Sequence, residues 1–260
     1  MILVRCETEI ITKGAYFCHY DIRVRNYFFL LIAGLYVALY SGCGTPDSVT
    51  RKDVTQRNQP PSSAPAALSP PDQRPVIAAF GDSLSAGFGA EPGKSFPDYV
   101  QRLIDRAGYR YRVFNAGVSG DTTSDGVERM PEVIALHPAI VILEFGGNDG
   151  LRGLPVTTTK ANLARMIEEL QNSGARVLLA GMTLPRNYGP EYISSFEKVY
   201  VDLAAQYKIP RIPFLLEGVG GVQQLMQRDG IHPTAQGNAI VARTVFHYLE
   251  PILSKPTVSK

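Results

Sequence analysis

The sequence predicts an α/β protein: a three-layer α/β/α sandwich around a central parallel sheet of about five strands. Two observations carry this. Short apolar runs of strand length alternate along the chain with helix-length segments of amphipathic spacing, which is the order of a parallel sheet covered by helices on both faces. The runs are also nearly continuous in apolar character rather than alternating, as expected of strands buried on both sides.

Taken in order, residues 76–80 form an apolar run that stops at Gly81, a first strand. Residues 96–107 follow with helical spacing through Phe96, Tyr99, Val100 and Leu103. A second strand fits residues 111–115, a helix fits 124–136, and 140–145 is an almost purely apolar third strand. A helix is expected over 158–172, with Gly174 as its C-terminal stop, and a fourth strand over 176–181. A helix over 194–207, a short strand over 212–214 and an amphipathic helix over 238–249 complete the domain. No internal repeat is present.

Composition narrows the function classes. The 260 residues are 45% hydrophobic and 19% charged, enough for one good-sized core. The formal charge is +2, but residues 76–260 carry 18 basic and 18 acidic side chains, which gives no reason to expect nucleic-acid binding. Cys6, Cys18 and Cys43 all precede the domain, so it holds neither an internal disulfide nor a thiolate nucleophile. His19, His137, His232 and His247 are scattered without ligand spacing, and no metal or other cofactor is expected.

The chemistry is concentrated in four runs: Phe80-Gly81-Asp82-Ser83-Leu84, Asn115-Ala116-Gly117-Val118-Ser119-Gly120-Asp121, Phe145-Gly146-Gly147-Asn148-Asp149 and Asp229-Gly230-Ile231-His232-Pro233. The first three fall just after expected strand ends, at the sheet edge where α/β proteins bind ligands. Ser83 alone would read as a helix N-cap; beside the other runs it reads as a nucleophile whose own N–H can face an oxyanion. Gly117 would add an unobstructed backbone N–H and Asn148 a side-chain amide to the same oxyanion hole. His232 is the candidate general base, with Asp229 near enough in sequence for a turn to bring it to the ring and hold the tautomer. Pro233 keeps His232 extended. Asp82 reads as a loop organiser bonded to nearby backbone and Asp149 as structural. The stretch 88–95 ends in Gly-Lys-Ser like a phosphate loop, but Phe88 stands where the first glycine is required, so the nucleotide reading fails.

These runs resemble those of the SGNH, or GDSL, hydrolase family, whose four named residues map onto Ser83, Gly117, Asn148 and His232. The similarity covers residues 76–253, and no block departs from the family pattern at a catalytic position. Residues 81–87, 146–153 and 229–233 look most like its bacterial multifunctional thioesterase, lysophospholipase and arylesterase branch. The resemblance implies a flavodoxin-like hydrolase fold and hydrolysis of aryl esters, lysophospholipids and acyl thioesters.

Apolar side chains in loops at the presumed active edge, Leu151, Leu154, Tyr188 and Tyr192 foremost, could shape an acyl groove, with Pro155, Leu184, Pro185, Ile193 and Phe196 beside them. No segment is long enough for a large lid, so the expected partner is a small ester or lipid reaching an open site. Two competing readings are a carbohydrate or peptidoglycan O-acetylesterase, which needs a shorter, more polar pocket, and a non-catalytic envelope binding lipoprotein.

The leader reads as an address. Arg23 and Arg25 precede an apolar run over 27–40, the length of a signal-peptide core, which meets Ser41-Gly42-Cys43, a lipobox-like end with Tyr40 where an aliphatic residue is usual. Lipidation at Cys43 is the expectation, against an uncleaved anchor or a plain secretory signal, and a start near Val24 would give a compact leader. Residues 44–75, rich in Pro and Ser with few large apolar side chains, read as a disordered tether. The expected organisation is therefore a targeting segment over 1–43, a linker over 44–75, the catalytic domain over 76–254 and a tail over 255–260. It places a monomeric enzyme in a bacterial cell envelope, periplasm-facing and touching the membrane through its anchor.

Overall fold

The computed structural model describes residues 72–254. The expectations for the leader, for Cys43, for the linker up to residue 71 and for the tail from 255 lie outside the described residues.

Five strands, β1 (Val76–Gly81), β2 (Arg112–Gly117), β3 (Ile140–Glu144), β4 (Arg176–Ala180) and β5 (Arg211–Ile212), pair in parallel in the order β2-β1-β3-β4-β5. The chain steps from β1 to β2 on one side and then returns to lay β3 on the other side of β1. That reversal opens a crevice at the carboxyl ends of β1 and β3, the position where open α/β sheets take ligands. Every residue of β1 and β3 is buried, which is why their sequences show no alternation.

Eight α-helices flank the sheet: α1 (Ser83–Ala86), α2 (Phe96–Arg106), α3 (Thr123–Glu128), α4 (Met130–Ile134), α5 (Gly147–Leu151), α6 (Val156–Asn172), α7 (Pro190–Tyr207) and α8 (Ala235–Leu249). α2 packs with α8, and α6 packs with α3 and α7, giving the two outer layers. α2 shows how local sequence sets these elements. Ser95 caps it in a capping box with Asp98, Pro97 stands in its first turn, and Phe96, Val100 and Ile104 recur on its buried face. The Gly-Lys-Ser stretch that resembles a phosphate loop thus ends as a helix cap.

The helix expected over 124–136 is instead two short ones, interrupted at Arg129. Pro131 lacks the N–H and its ring blocks the preceding turn, so the chain restarts at Met130. α1 and α5 leave no periodic trace because each is barely a turn long. β2 extends to Gly117, beyond the expected end at 115, so this glycine closes a strand rather than opening a loop. The core beneath the crevice includes Phe80 and Phe145, edge to face with ring centres 4.8 Å apart, and the buried Phe196 and Tyr200 of α7. Such an aromatic pair adds about 0.5–1.5 kcal/mol beyond its buried area.

Candidate active site

The loops after β1 and β5 meet at three side chains. Ser83 Oγ lies 2.8 Å from His232 Nε2, and His232 Nδ1 lies 2.7 Å from Asp229 Oδ2. Ser83 is the first residue of α1, so its N–H falls in the first turn, where a helix offers no internal partner. On the other side a tight turn forms because Asp229 Oδ1 accepts from the N–H groups of Ile231, at 3.0 Å, and His232, at 3.1 Å. Gly230, at φ 74°, supplies the left-handed residue that this turn needs. Partial burial would raise the Asp229 pKa, but the His232 ring and the two backbone N–H bonds outweigh it, and the carboxyl sits below its ordinary range. An ionised Asp229 accepts from Nδ1–H and leaves the Nε2 lone pair facing the serine.

Gln227 fastens the two loops together. Its N–H donates to His232 O at 2.7 Å, and its side-chain amide donates to Phe88 O at 2.7 Å and Pro233 O at 3.0 Å. The Phe88 ring lies against the His232 ring with centres 4.6 Å apart. Neither residue stood out in the sequence as part of the site, since each bond runs to a backbone carbonyl or ring that only the fold brings near.

The expected oxyanion donors separate into two outcomes. Asn148, at the start of α5, reaches the crevice; its Nδ2 donates to Asp121 O at 2.9 Å and to Asp82 Oδ2 at 3.2 Å. Gly117 does not reach it. Its N–H is already bonded to Asn115 Oδ1 at 3.0 Å, and it is pressed so closely on the Ser85–Ala86 backbone that a Cβ would collide with Ala86 N. The glycine on the cavity wall is Gly120, beside Ser119 in the turn after β2. The sequence carries both glycines in one run, and the clue passed over was that Gly120, not Gly117, falls in the polar Ser-Gly-Asp turn.

Arg129, at the break between α3 and α4, braces this turn. Its Nε pairs with Asp121 Oδ2 at 2.6 Å, while its terminal nitrogens donate to Ala116 O at 3.0 Å and Gly81 O at 3.1 Å. The guanidinium also lies over the Phe80 ring, 4.9 Å from its centre. Asp149, read as structural, is buried and accepts from Thr123 N at 2.9 Å and Thr123 Oγ1 at 2.5 Å. Asp82 organises its loop as expected, with Oδ1 accepting from Leu84 N at 3.0 Å, but its other oxygen faces Asn148.

A cavity of about 670 Å³ opens over Ser83 and His232. Its apolar wall includes Phe88, Leu151, Met182, Leu184, Phe214 and Met226. Leu151 is thus on the wall as expected, but Leu154, Tyr188 and Tyr192 are not. The two tyrosines work from behind: Tyr188 Oη donates to Leu151 O at 2.8 Å and Tyr192 Oη to Leu154 O at 3.2 Å, fixing the loop that carries Leu151. Among the described residues no cluster of His, Cys, Asp and Glu has the makeup of a metal site.

Comparison with known proteins gives the family. Residues 79–240 match the family model described as the GDSL-like lipase/acylhydrolase family. The chain is 46% identical over 179 residues to a Pseudomonas aeruginosa protein named esterase TesA, covering 68% of this chain and 89% of that protein. It is 36% identical over 176 residues to the Escherichia coli protein named thioesterase 1/protease 1/lysophospholipase L1, covering 67% and 83%. A crystal structure of TesA superposes with a TM-score of 0.67 at 45% identity, covering 68% of this chain and 99% of that one. The chain therefore belongs to the GDSL-like lipase/acylhydrolase family and is a carboxylic ester hydrolase of the SGNH fold.

Proposed function

We propose that this protein hydrolyses esters and thioesters of apolar acyl chains through a Ser83–His232–Asp229 triad and an acyl-enzyme intermediate. The observation that carries the reading is the unbroken relay of 2.8 and 2.7 Å from Ser83 Oγ through the imidazole to Asp229, in contact with an apolar cavity. Ser83 Oγ attacks the acyl carbon as Nε2 takes its proton, and Asp229 favours the imidazolium that forms. The oxyanion is received by the N–H groups of Ser83 and Gly120 and by the Asn148 amide, which exchanges its bond to Asp121 O for the oxyanion while keeping the one to Asp82; one such donor contributes about 3–4 kcal/mol to the barrier. The imidazolium then protonates the departing alcohol or thiol, and water repeats the sequence to free the acid.

The relatives' names, esterase, thioesterase and lysophospholipase, support the ester and thioester classes. The apolar wall supports an acyl chain longer than acetyl. Nitrophenyl esters of graded length test this: octanoyl should exceed acetyl in kcat/KM, and the reverse order would turn the reading to an O-acetylesterase. Covalent labelling by a fluorophosphonate, lost in Ser83→Ala, tests the nucleophile; an unlabelled wild type would leave a binding protein.

The leader supports placing this activity in a bacterial cell envelope, lipid-anchored at Cys43. In that compartment a lysophospholipid or another envelope ester is the natural substrate rather than cytoplasmic acyl-CoA. Mass spectrometry of the native N-terminus tests the anchor: a diacylglyceryl cysteine at residue 43 is expected, and an unmodified or earlier N-terminus refutes it.

A further inference from the structure

Beneath the site lies a pair of acids that the triad does not use. Glu144, the last residue of β3, is fully buried. Its Oε2 accepts from Asp82 N at 3.1 Å, Ser85 N at 3.2 Å and Ser85 Oγ at 2.8 Å. Its Oε1 is equally buried and receives no donor. Asp82, 2% exposed, is filled on the far side by Leu84 N and Asn148 Nδ2, and its carboxyl is in hydrogen-bond contact with that of Glu144.

Two carboxylates cannot hydrogen-bond to each other, because both are acceptors only; one must carry a proton. The orphaned oxygen shows which. An ionised Glu144 would leave a charged Oε1 buried with no partner, whereas a protonated one makes the carboxyl a donor beside the Asp82 carboxylate. Among the described residues no cation relieves the pair by contact: the Arg129 guanidinium is engaged by Asp121, Ala116 O and Gly81 O, and the Tyr200 hydroxyl donates to Phe145 O. His232, the remaining titratable group acting on the pair, favours ionised Asp82 whenever the ring is charged.

We propose that Asp82 and Glu144 share one proton, held on Glu144, and that the remaining carboxylate of Asp82 positions the Asn148 amide for the oxyanion. The inference rests on the hydrolase reading above and makes both acids positioning residues of its oxyanion hole. Burial and the neighbouring Asp82 charge push Glu144 well above the usual carboxyl range, and burial pushes Asp82 up to about 6, so the pair holds one proton at neutral pH.

The substitutions separate positioning from simple capping. Asparagine caps a helix as well as aspartate does, so a capping role alone predicts that Asp82→Asn is silent. An asparagine side chain there has one oxygen for three donors, from Leu84, Asn148 and Glu144, and turns its NH₂ toward a donor. On the proposal the kcat of Asp82→Asn falls about tenfold or more with KM little changed. Glu144→Gln keeps a donor for Asp82 and an acceptor for Ser85, so on the proposal it loses less kcat than Asp82→Asn does. Infrared difference spectra of wild type against Glu144→Gln at neutral pH should show the carbonyl stretch of an un-ionised carboxylic acid, absent from the variant. No such band, or wild-type kcat in Asp82→Asn, overturns the proposal. The band needs no turnover to be read, and Ser83→Ala measured alongside reports separately on the hydrolase reading.

Discussion

The buried proton on Glu144 should appear in the pH dependence of stability. In the unfolded chain this glutamate ionises near its ordinary value of 4.5, while in the folded chain burial holds it protonated well above that. A carboxyl whose folded-state pKa is raised costs nothing below the unfolded value. As pH rises past it, the unfolded state sheds a proton that the folded state keeps, and stability falls by about 1.4 kcal/mol per pH unit. Asp82, raised to about 6, makes its own smaller contribution, complete once pH exceeds that value. Above about pH 6.5 the slope from this pair therefore belongs to Glu144 alone, and it lasts for as long as the folded protein keeps that proton. Glu144→Gln removes that slope, because an amide does not titrate, while keeping the hydrogen bonds. Urea unfolding of both proteins at several pH values between about 6.5 and 8.5 is the assay. The variant should gain on wild type as pH rises, with a matching relative rise in Tm. Parallel stability curves would mean that Glu144 is already ionised in the folded protein and would refute the reasoning.

Four further outcomes follow from the site. Ser83→Ala should lower kcat by at least about 10⁴-fold with the fold intact by circular dichroism, since the remaining groups act on an absent nucleophile. Asn148→Ala should lower kcat by about 10²–10³-fold while KM for an octanoyl ester moves little, which steady-state kinetics will show. Arg129→Met should cost about 3–5 kcal/mol in urea unfolding, because it strands a largely buried Asp121 carboxylate and two strand-end carbonyls. Leu151→Trp should shorten the acyl groove, lowering kcat/KM for octanoyl more than for butyryl by about 0.8 kcal/mol for each methylene displaced.

The fold was legible because its signals are local. Apolar runs of strand length and amphipathic helices survive in a single sequence, and all five strands fall within a residue or two of their expected places. The serine, histidine and aspartate that the fold brings together were legible for a different reason: a serine after a buried strand and a histidine with a nearby aspartate carry their chemistry in their type. What escaped is whatever the fold alone brings together. Gly117 and Gly120 differ by three positions, and only the extension of β2 to Gly117, with Asn115 capping its N–H, sends the first into the sheet and the second to the cavity. Tyr188 and Tyr192 were expected on the wall for their apolar rings, yet their hydroxyls turn them to the loop carbonyls behind it. Glu144 was hidden in a run that reads as purely apolar, since nothing local marks an acid whose partners lie 59 and 62 residues away.

The position of that acid follows from the demands of the reaction. Three segments must converge at the end of β1 and β3, and the turn from β1 into α1 exposes N–H groups of Asp82 and Ser85 that no strand or helix partner can fill. An acceptor from β3 is the nearest solution, and Glu144 Oε2 fills that place. A fully charged acid there would add a second negative charge behind Asn148, opposing the oxyanion in the proposed mechanism. At an effective dielectric constant of about 20, a charge about 5–10 Å away opposes the oxyanion by roughly 2–3 kcal/mol, the order of one donor's contribution. Holding a proton on Glu144 satisfies the turn and the Asp82 acceptor while leaving only one charge in the pair. On this argument the proton matters to the transition state as well as to the fold, so raising pH far enough to remove it should depress kcat through the same Asn148 contact that Asp82→Asn disrupts.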